Sequence, residues 1–291
     1  MTATVAMPPV RTATRTTAPL LRLLRSELRF MLRRPRTMIA LGLVALVPVV
    51  AGIGIAVAAT SATPNDQGPS VAGIAAILAS NGLVLPVFVL LLTMAMLLPM
   101  LGAMWAADSI AGESATGGLR NLLLAPVSRP RLLAVKAFGV ATMTLLAVTL
   151  MAVVGVLAGL TILGGDGMLT LSGSTLPFGA ALGRIALLTV LVTIQVWAVA
   201  AIALAISSCT DHPLIVLATS LGGIIMFTVL GAIDSLSWLH PALITDGWQA
   251  LADVARDPMP TDAITEGLLR AACYILIGYS LALARMVTRD G

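Results

Sequence analysis

The chain has 291 residues, 58% of them hydrophobic and only 10% charged, and its mean hydropathy is +1.02. Soluble domains carry about 25% charged residues, so this composition excludes a water-covered globule and requires most of the exterior to face lipid. The formal charge of +4 does not point to nucleic acid, because eight of the seventeen basic residues crowd between Arg11 and Arg36, directly ahead of the first apolar run, where such a flank orients a span and meets anionic headgroups.

Residues 1–17 are rich in Thr and Pro, lack an apolar h-region and read as a disordered cytoplasmic tail. Arginine outnumbers lysine sixteen to one and alanine is abundant, which fits a GC-rich bacterial genome of actinobacterial type. Residues 18–36 form an amphipathic pattern. At 100° per residue Leu20, Leu21, Leu24, Leu28, Met31 and Leu32 share one face, and Arg22, Arg25, Arg29, Arg33 and Arg36 share the other. A basic helix lying in the membrane interface is expected.

A helix rises 1.5 Å per residue, so roughly 20 apolar residues cross the hydrocarbon core. Six runs meet that length: about 37–59, 83–107, 132–163, 185–207, 214–233 and 268–284. The stretch Val71–Ala79 is too short to cross, and Asn81 and Gly82 break it. Span three is long enough to protrude, with Lys136 in the protruding part. A Gly-rich loop follows it, a tight link (SSCTDHP) joins spans four and five, and a long polar segment, 234–266, precedes span six. Within that segment His240-Pro241 is expected to break a helix, and Asp253, Asp257, Asp262 and Glu266 are expected to form a solvated acidic face. The fold class is an all-α membrane protein with six transmembrane helices, an interfacial N-terminal helix and a partly helical extracellular segment between spans five and six.

Orientation follows from charge. With the N-terminus inside, fourteen Lys and Arg fall in cytoplasmic segments and three (Arg184, Arg256, Arg270) fall outside. The positive-inside rule therefore places both termini in the cytoplasm. Cys209 and Cys273 then lie near opposite faces, too far apart for a disulfide within one chain, and read as packing residues.

The informative segment is the cytoplasmic loop from Asp108 to Lys136. Gly117-Gly118 can end the descending helix. Leu119 to Leu124 can form one or two turns with an apolar ridge, which Pro126 stops. Ser128 can cap the next helix, with Pro130 in its first turn. This short helix, held below the membrane by two long arms, has no core of its own to bury its ridge and needs a partner protein.

These residues resemble the cytoplasmic loop of type-2 ATP-binding-cassette (ABC) permeases, which show a Glu, then Gly-Thr-Leu, paired leucines, Pro-Val-Ser-Arg and a Lys opening the third span. Glu113, Gly117, Leu119, Leu122, Leu123, Pro126, Val127, Ser128, Arg129 and Lys136 stand in those places, and Gly118 stands where Thr is usual. The resemblance extends to the amphipathic helix, the six spans and the long outer segment. It implies a permease subunit in the bacterial cytoplasmic membrane whose loop, with Arg120 also in it, is a coupling helix docking on a separate ATPase. It further implies two ATPase copies, a second permease chain, identical or a sister, and ATP and Mg held by the partner, with no cofactor on this chain.

Other motifs are decoys. A P-loop needs a Gly-rich turn ending in Gly-Lys-Ser/Thr, and the only lysine, Lys136, follows Ala134-Val135. Leu171-Ser172-Gly173-Ser174 only begins like an ABC ATPase signature, and Gly164–Gly167 is a turn. No metal-ligand spacing surrounds His212 or His240. The spans are almost free of ionisable groups, which argues against a stand-alone secondary transporter or channel and for an apolar or amphiphilic cargo. A lipid-modifying enzyme would need a polar cluster at one membrane face, and the sequence offers none. Met96, Met100 and Met104 recur every four residues on span two and offer an adaptable apolar contact surface. Gln195 is the lone amide of span four, able to bond a cargo or a neighbouring helix.

Overall fold

The computed structural model describes residues 20–60, 79, 81–115, 128–165 and 167–288. Helix α1 (Leu20–Arg33) is followed at once by α2 (Pro35–Thr60), with Pro35 tolerated at the first helical position. Span two is two helices, α3 (Val84–Met94) and α4 (Leu97–Ser109), with a short α5 (Ala111–Ala115) behind them. Helix α6 (Arg129–Ala158) ends in a π turn, Gly159–Leu163. Strands β1 (Gly167–Leu169) and β2 (Thr175–Pro177) make a small antiparallel hairpin. Then come α7 (Phe178–Cys209), α8 (Pro213–Gly231), two 3-10 helices (Asp234–Ala242 and Asp246–Ala255) and α9 (Asp262–Thr288).

Five of these helices are long and apolar enough to cross a membrane, and the α3–α4 pair, counted as one bent span, makes six. The protein is an all-α, multi-pass membrane protein. Of the five single-helix spans the most enclosed is α7, which packs against α9, α4, α6, α8 and α3, while α8 is the least enclosed. The main buried core runs from Met31 and Val44 through Trp105, Met143 and Leu188 to Val254, and a smaller cluster gathers Ala198, Val199, Ile224, Ile244 and Ala271.

Several boundaries differ from those expected, each for a physical reason. Span two is not a continuous helix over 83–107: it bends by 57° between Met94 and Leu97. Pro99 lacks the amide hydrogen that would bond the carbonyl of Ala95, and its ring clashes with that carbonyl. Met96 takes the irregular backbone there, at φ −153°. Spans four and six run past the charged residues that end their apolar windows. Arg184, Glu266 and Arg270 lie inside helices because each finds a partner: Arg184 with Asp257, and Arg270 with both Glu266 and Asp246. The Gly-rich loop is partly the hairpin, its turn closed by Gly173 at φ +85°. His240-Pro241 does not break a helix but lies within the first 3-10 helix, whose irregular residue is Leu236. The acidic segment is laced rather than merely solvated, since Asp253 pairs with Arg256 as Asp257 does with Arg184.

The two ends of the bundle are fixed differently. At the hairpin end, Gly82 N–H donates to the carbonyl of Gly164 at 2.8 Å, and the backbones of Gly82 and Gly159 touch so closely that neither admits a side chain. Arg270 reaches the Leu243 carbonyl at 3.0 Å and the Tyr274 hydroxyl donates to the Ala242 carbonyl at 2.6 Å, which pins the 3-10 helices against α9. At the opposite end Ser207 bridges the α4–α5 junction. Its hydroxyl accepts from Ala111 N–H at 3.0 Å and donates to the Ala107 carbonyl at 3.3 Å, replacing the helical bond lost at that step.

Candidate functional site

The α1 end gathers most of the ionisable side chains buried within the bundle. The face of α1 turned to the protein carries Met31 and Glu27, which pack on α6 where Gly139 leaves room for them. Lys136, in the second turn of α6 and 3% exposed, bonds both oxygens of Glu27 at 3.0 and 3.2 Å. The same amine lies 2.5 Å from Oε1 of Glu113, in the first turn of α5 and 7% exposed. Arg34, between α1 and α2, reaches Glu113 at 3.5 Å and stacks over the Phe30 ring at 4.2 Å. Two carboxylates and two cations thus close into a neutral cluster. Such a cluster adds little net stability against an apolar replacement, but removing one member leaves an unpaired buried charge, so it fixes geometry.

Two further contacts complete this end. Arg36 of α2 bonds Asp108 of α4 at 3.0 Å. Arg129, at the start of α6, donates to the carbonyls of Met286 and Val287 at 3.1 Å each. It therefore caps the last turn of α9, where carbonyls lack helical partners and cations are favoured. Ser128 takes the N-cap position of α6 without a side-chain bond, and its carbonyl accepts from Leu132 instead.

Of the residues expected to couple to an ATPase, Glu113 and Arg129 are described, and they flank the rest. Gly117, Gly118, Leu119, Arg120, Leu122, Leu123 and Pro126 lie outside the described residues. Lys136 is enclosed by α1 and α5. The bend at Ala95–Met96 separates the three methionines. Met96 is half exposed at the break, Met100 packs with Ala198, Val199 and Ile224, and Met104 packs against the main core beside α2. Gln195 is buried and donates to the Gly267 carbonyl at 3.1 Å, in a contact where Gly247 and Gly267 bring the second 3-10 helix and α9 together. Cys209 and Cys273 are free and exposed.

Glu27 and Arg34 are functional-site members that reading for faces overlooked. The signal was present. Glu27 falls at the edge of the leucine face of α1, where an acid has no reason to sit unless a cation meets it, and the chain has a single lysine to do so.

Six apolar spans behind an amphipathic helix, with a buried ion cluster at the loop between spans two and three, define a helical membrane permease. The family model for ABC-2 family transporter proteins matches residues 23–245, most of the chain from α1 into the segment before α9. The chain belongs to that family and is a permease subunit of an ABC transporter. No curated protein matches it.

Proposed function

We propose that this permease exports a hydrophobic or amphiphilic compound (a drug, an antibiotic or a lipid) using ATP hydrolysed on a separate ATPase subunit. Two ATPase copies and a second permease chain, identical or a sister, complete the complex, and ATP and Mg belong to the ATPase. The chain sits in the bacterial cytoplasmic membrane with both termini inside, in keeping with the fourteen-to-three distribution of basic residues.

The Glu27–Lys136–Glu113–Arg34 cluster carries the reading. It joins the amphipathic helix, the arm leaving span two and the arm entering span three, the three elements around segment 116–127. A push on that segment reaches all three as one body. Arg129 extends the same body to the end of α9.

The test replaces Leu123 with Asp. The expected outcome is loss of the co-purifying ATPase with membrane insertion intact, and unchanged co-purification would overturn the coupling claim. Direction is read in inverted membrane vesicles, where export appears as ATP-dependent uptake of an amphiphilic dye. ATP-dependent release would mean import.

A further inference from the structure

An apolar groove of about 690 Å³ runs between α2 and the second half of span two, along Ile39, Leu43, Val47, Val50, Leu101 and Met104. Arg36, at its α1 end, is its one charged lining residue. The groove opens sideways, with Leu43 and Val50 each more than half exposed. Along α2, Arg36 to Val50 is about 21 Å, and one leaflet of hydrocarbon is about 15 Å deep. The groove is therefore as long as a lipid chain and begins where a headgroup lies.

Water does not fill such a groove within hydrocarbon, and leaving it empty forfeits the dispersion contacts of every lining side chain. Hydrocarbon fills it. The charge at the mouth selects which molecule supplies that hydrocarbon. Arg36 commits one nitrogen to Asp108 at 3.0 Å, which fixes the guanidinium, while its side chain remains 52% exposed. The remaining N–H donors are free to meet an anion in the fork geometry suited to phosphate. A second copy of this chain fits less well. Its two-fold axis would run along the membrane normal, so the partner's own arginine-rich α1–α2 junction would face this one at the same depth and like charges would oppose each other.

We propose that the groove is a binding site for one phospholipid of the leaflet on which α1 lies, with an acyl chain between α2 and α4 and an anionic headgroup phosphate on Arg36.

The full-length permease is reconstituted in nanodiscs of phosphatidylcholine containing phosphatidylglycerol, re-extracted in mild detergent and examined by native mass spectrometry. One retained phosphatidylglycerol per chain is expected, enriched about fivefold over its share of the bilayer, as one arginine near the surface provides about that preference. Val47→Trp fills the groove and is expected to abolish retention, whereas Arg36→Gln keeps a lipid but loses the headgroup preference. Retention unchanged by Val47→Trp overturns the site, and a preference unchanged by Arg36→Gln overturns the role of the arginine. Because Arg36 also holds Asp108, the tryptophan variant decides if Arg36→Gln misfolds. In a Cys209→Ser, Cys273→Ala background, a Leu43→Cys chain that forms a disulfide with its copy in native membranes would show a permease interface instead and would equally overturn the proposal.

Discussion

The amine of Lys136 lies 2.5 Å from Oε1 of Glu113, twenty-three residues away in sequence and across the loop that joins spans two and three. A contact between the two arms fixes the separation at which that loop begins and ends. Glu27, bonded to the same amine, adds α1 to the clamp.

Lys136→Met removes the cation shared by Glu27 and Glu113, leaving Glu113 with Arg34 and Glu27 without its amine. Breaking a buried pair in this way costs about 3–5 kcal/mol, so the purified permease is expected to melt markedly earlier in detergent. Adding Glu27→Gln and Glu113→Gln to Lys136→Met removes the carboxylate charges and is expected to restore most of the melting temperature while leaving ATPase stimulation low. A triple variant that stimulates normally would show that the clamp serves stability alone.

The six spans were legible because lipid imposes a simple length and polarity rule, whereas the bend in span two was not read. It depends on Pro99 acting on the carbonyl of Ala95, a backbone effect that a hydropathy window averages away. The extensions of α7 and α9 were hidden for a related reason. Arg184 and Glu266 look like span limits until their partners, Asp257 and Arg270, are known. The ridge expected over Leu119–Leu124 lies outside the described residues, and the flanking Glu113 and Arg129 are tied to the bundle. Gln195, singled out for cargo or packing, bonds a neighbouring helix because the lone amide of an apolar span has to find an acceptor.

Gly278 is where α9 and α7 meet backbone to backbone. A Cβ there would lie 2.6 Å from the carbonyl carbon of Ala201 and 2.8 Å from the nitrogen of Ile202. Gly278→Ala is expected to push the two helices apart and cost about 1–3 kcal/mol, as overpacking does. Gly222 on α8 meets nothing within 4 Å. Gly222→Ala is expected to be neutral or to stabilise the isolated permease by up to ~1 kcal/mol through helix propensity. Equal melting temperatures for the two variants would contradict the close α7–α9 packing.

Arg129 holds the C-terminal turn of α9 through two carbonyls, at Met286 and Val287. Arg129→Ala is expected to fray residues 284–288 and raise their hydrogen-exchange rate about fivefold, corresponding to the loss of roughly 1 kcal/mol of capping interaction. Exchange in the middle of α7 is the internal control. Unchanged protection at the end of α9 would mean that the cap carries no weight.

The orientation proposed for the bundle rests on its arginines and can be tested at the first 3-10 helix, which carries none. Ser237 lies exposed in the first 3-10 helix, at the hairpin end, away from α1. Cys209 and Cys273 are exposed and free, so both have to be removed first, as Cys209→Ser and Cys273→Ala. In that background Ser237→Cys is expected to react with a membrane-impermeant maleimide on intact cells, and Ser26→Cys, on the exposed polar side of α1, only after permeabilisation. The positive-inside rule predicts this pair of outcomes because the segments expected inside hold fourteen of the seventeen basic residues of the sequence. The reverse labelling pattern would invert the permease, place the arginine face of α1 outside the cell and remove the coupling loop from any cytoplasmic ATPase.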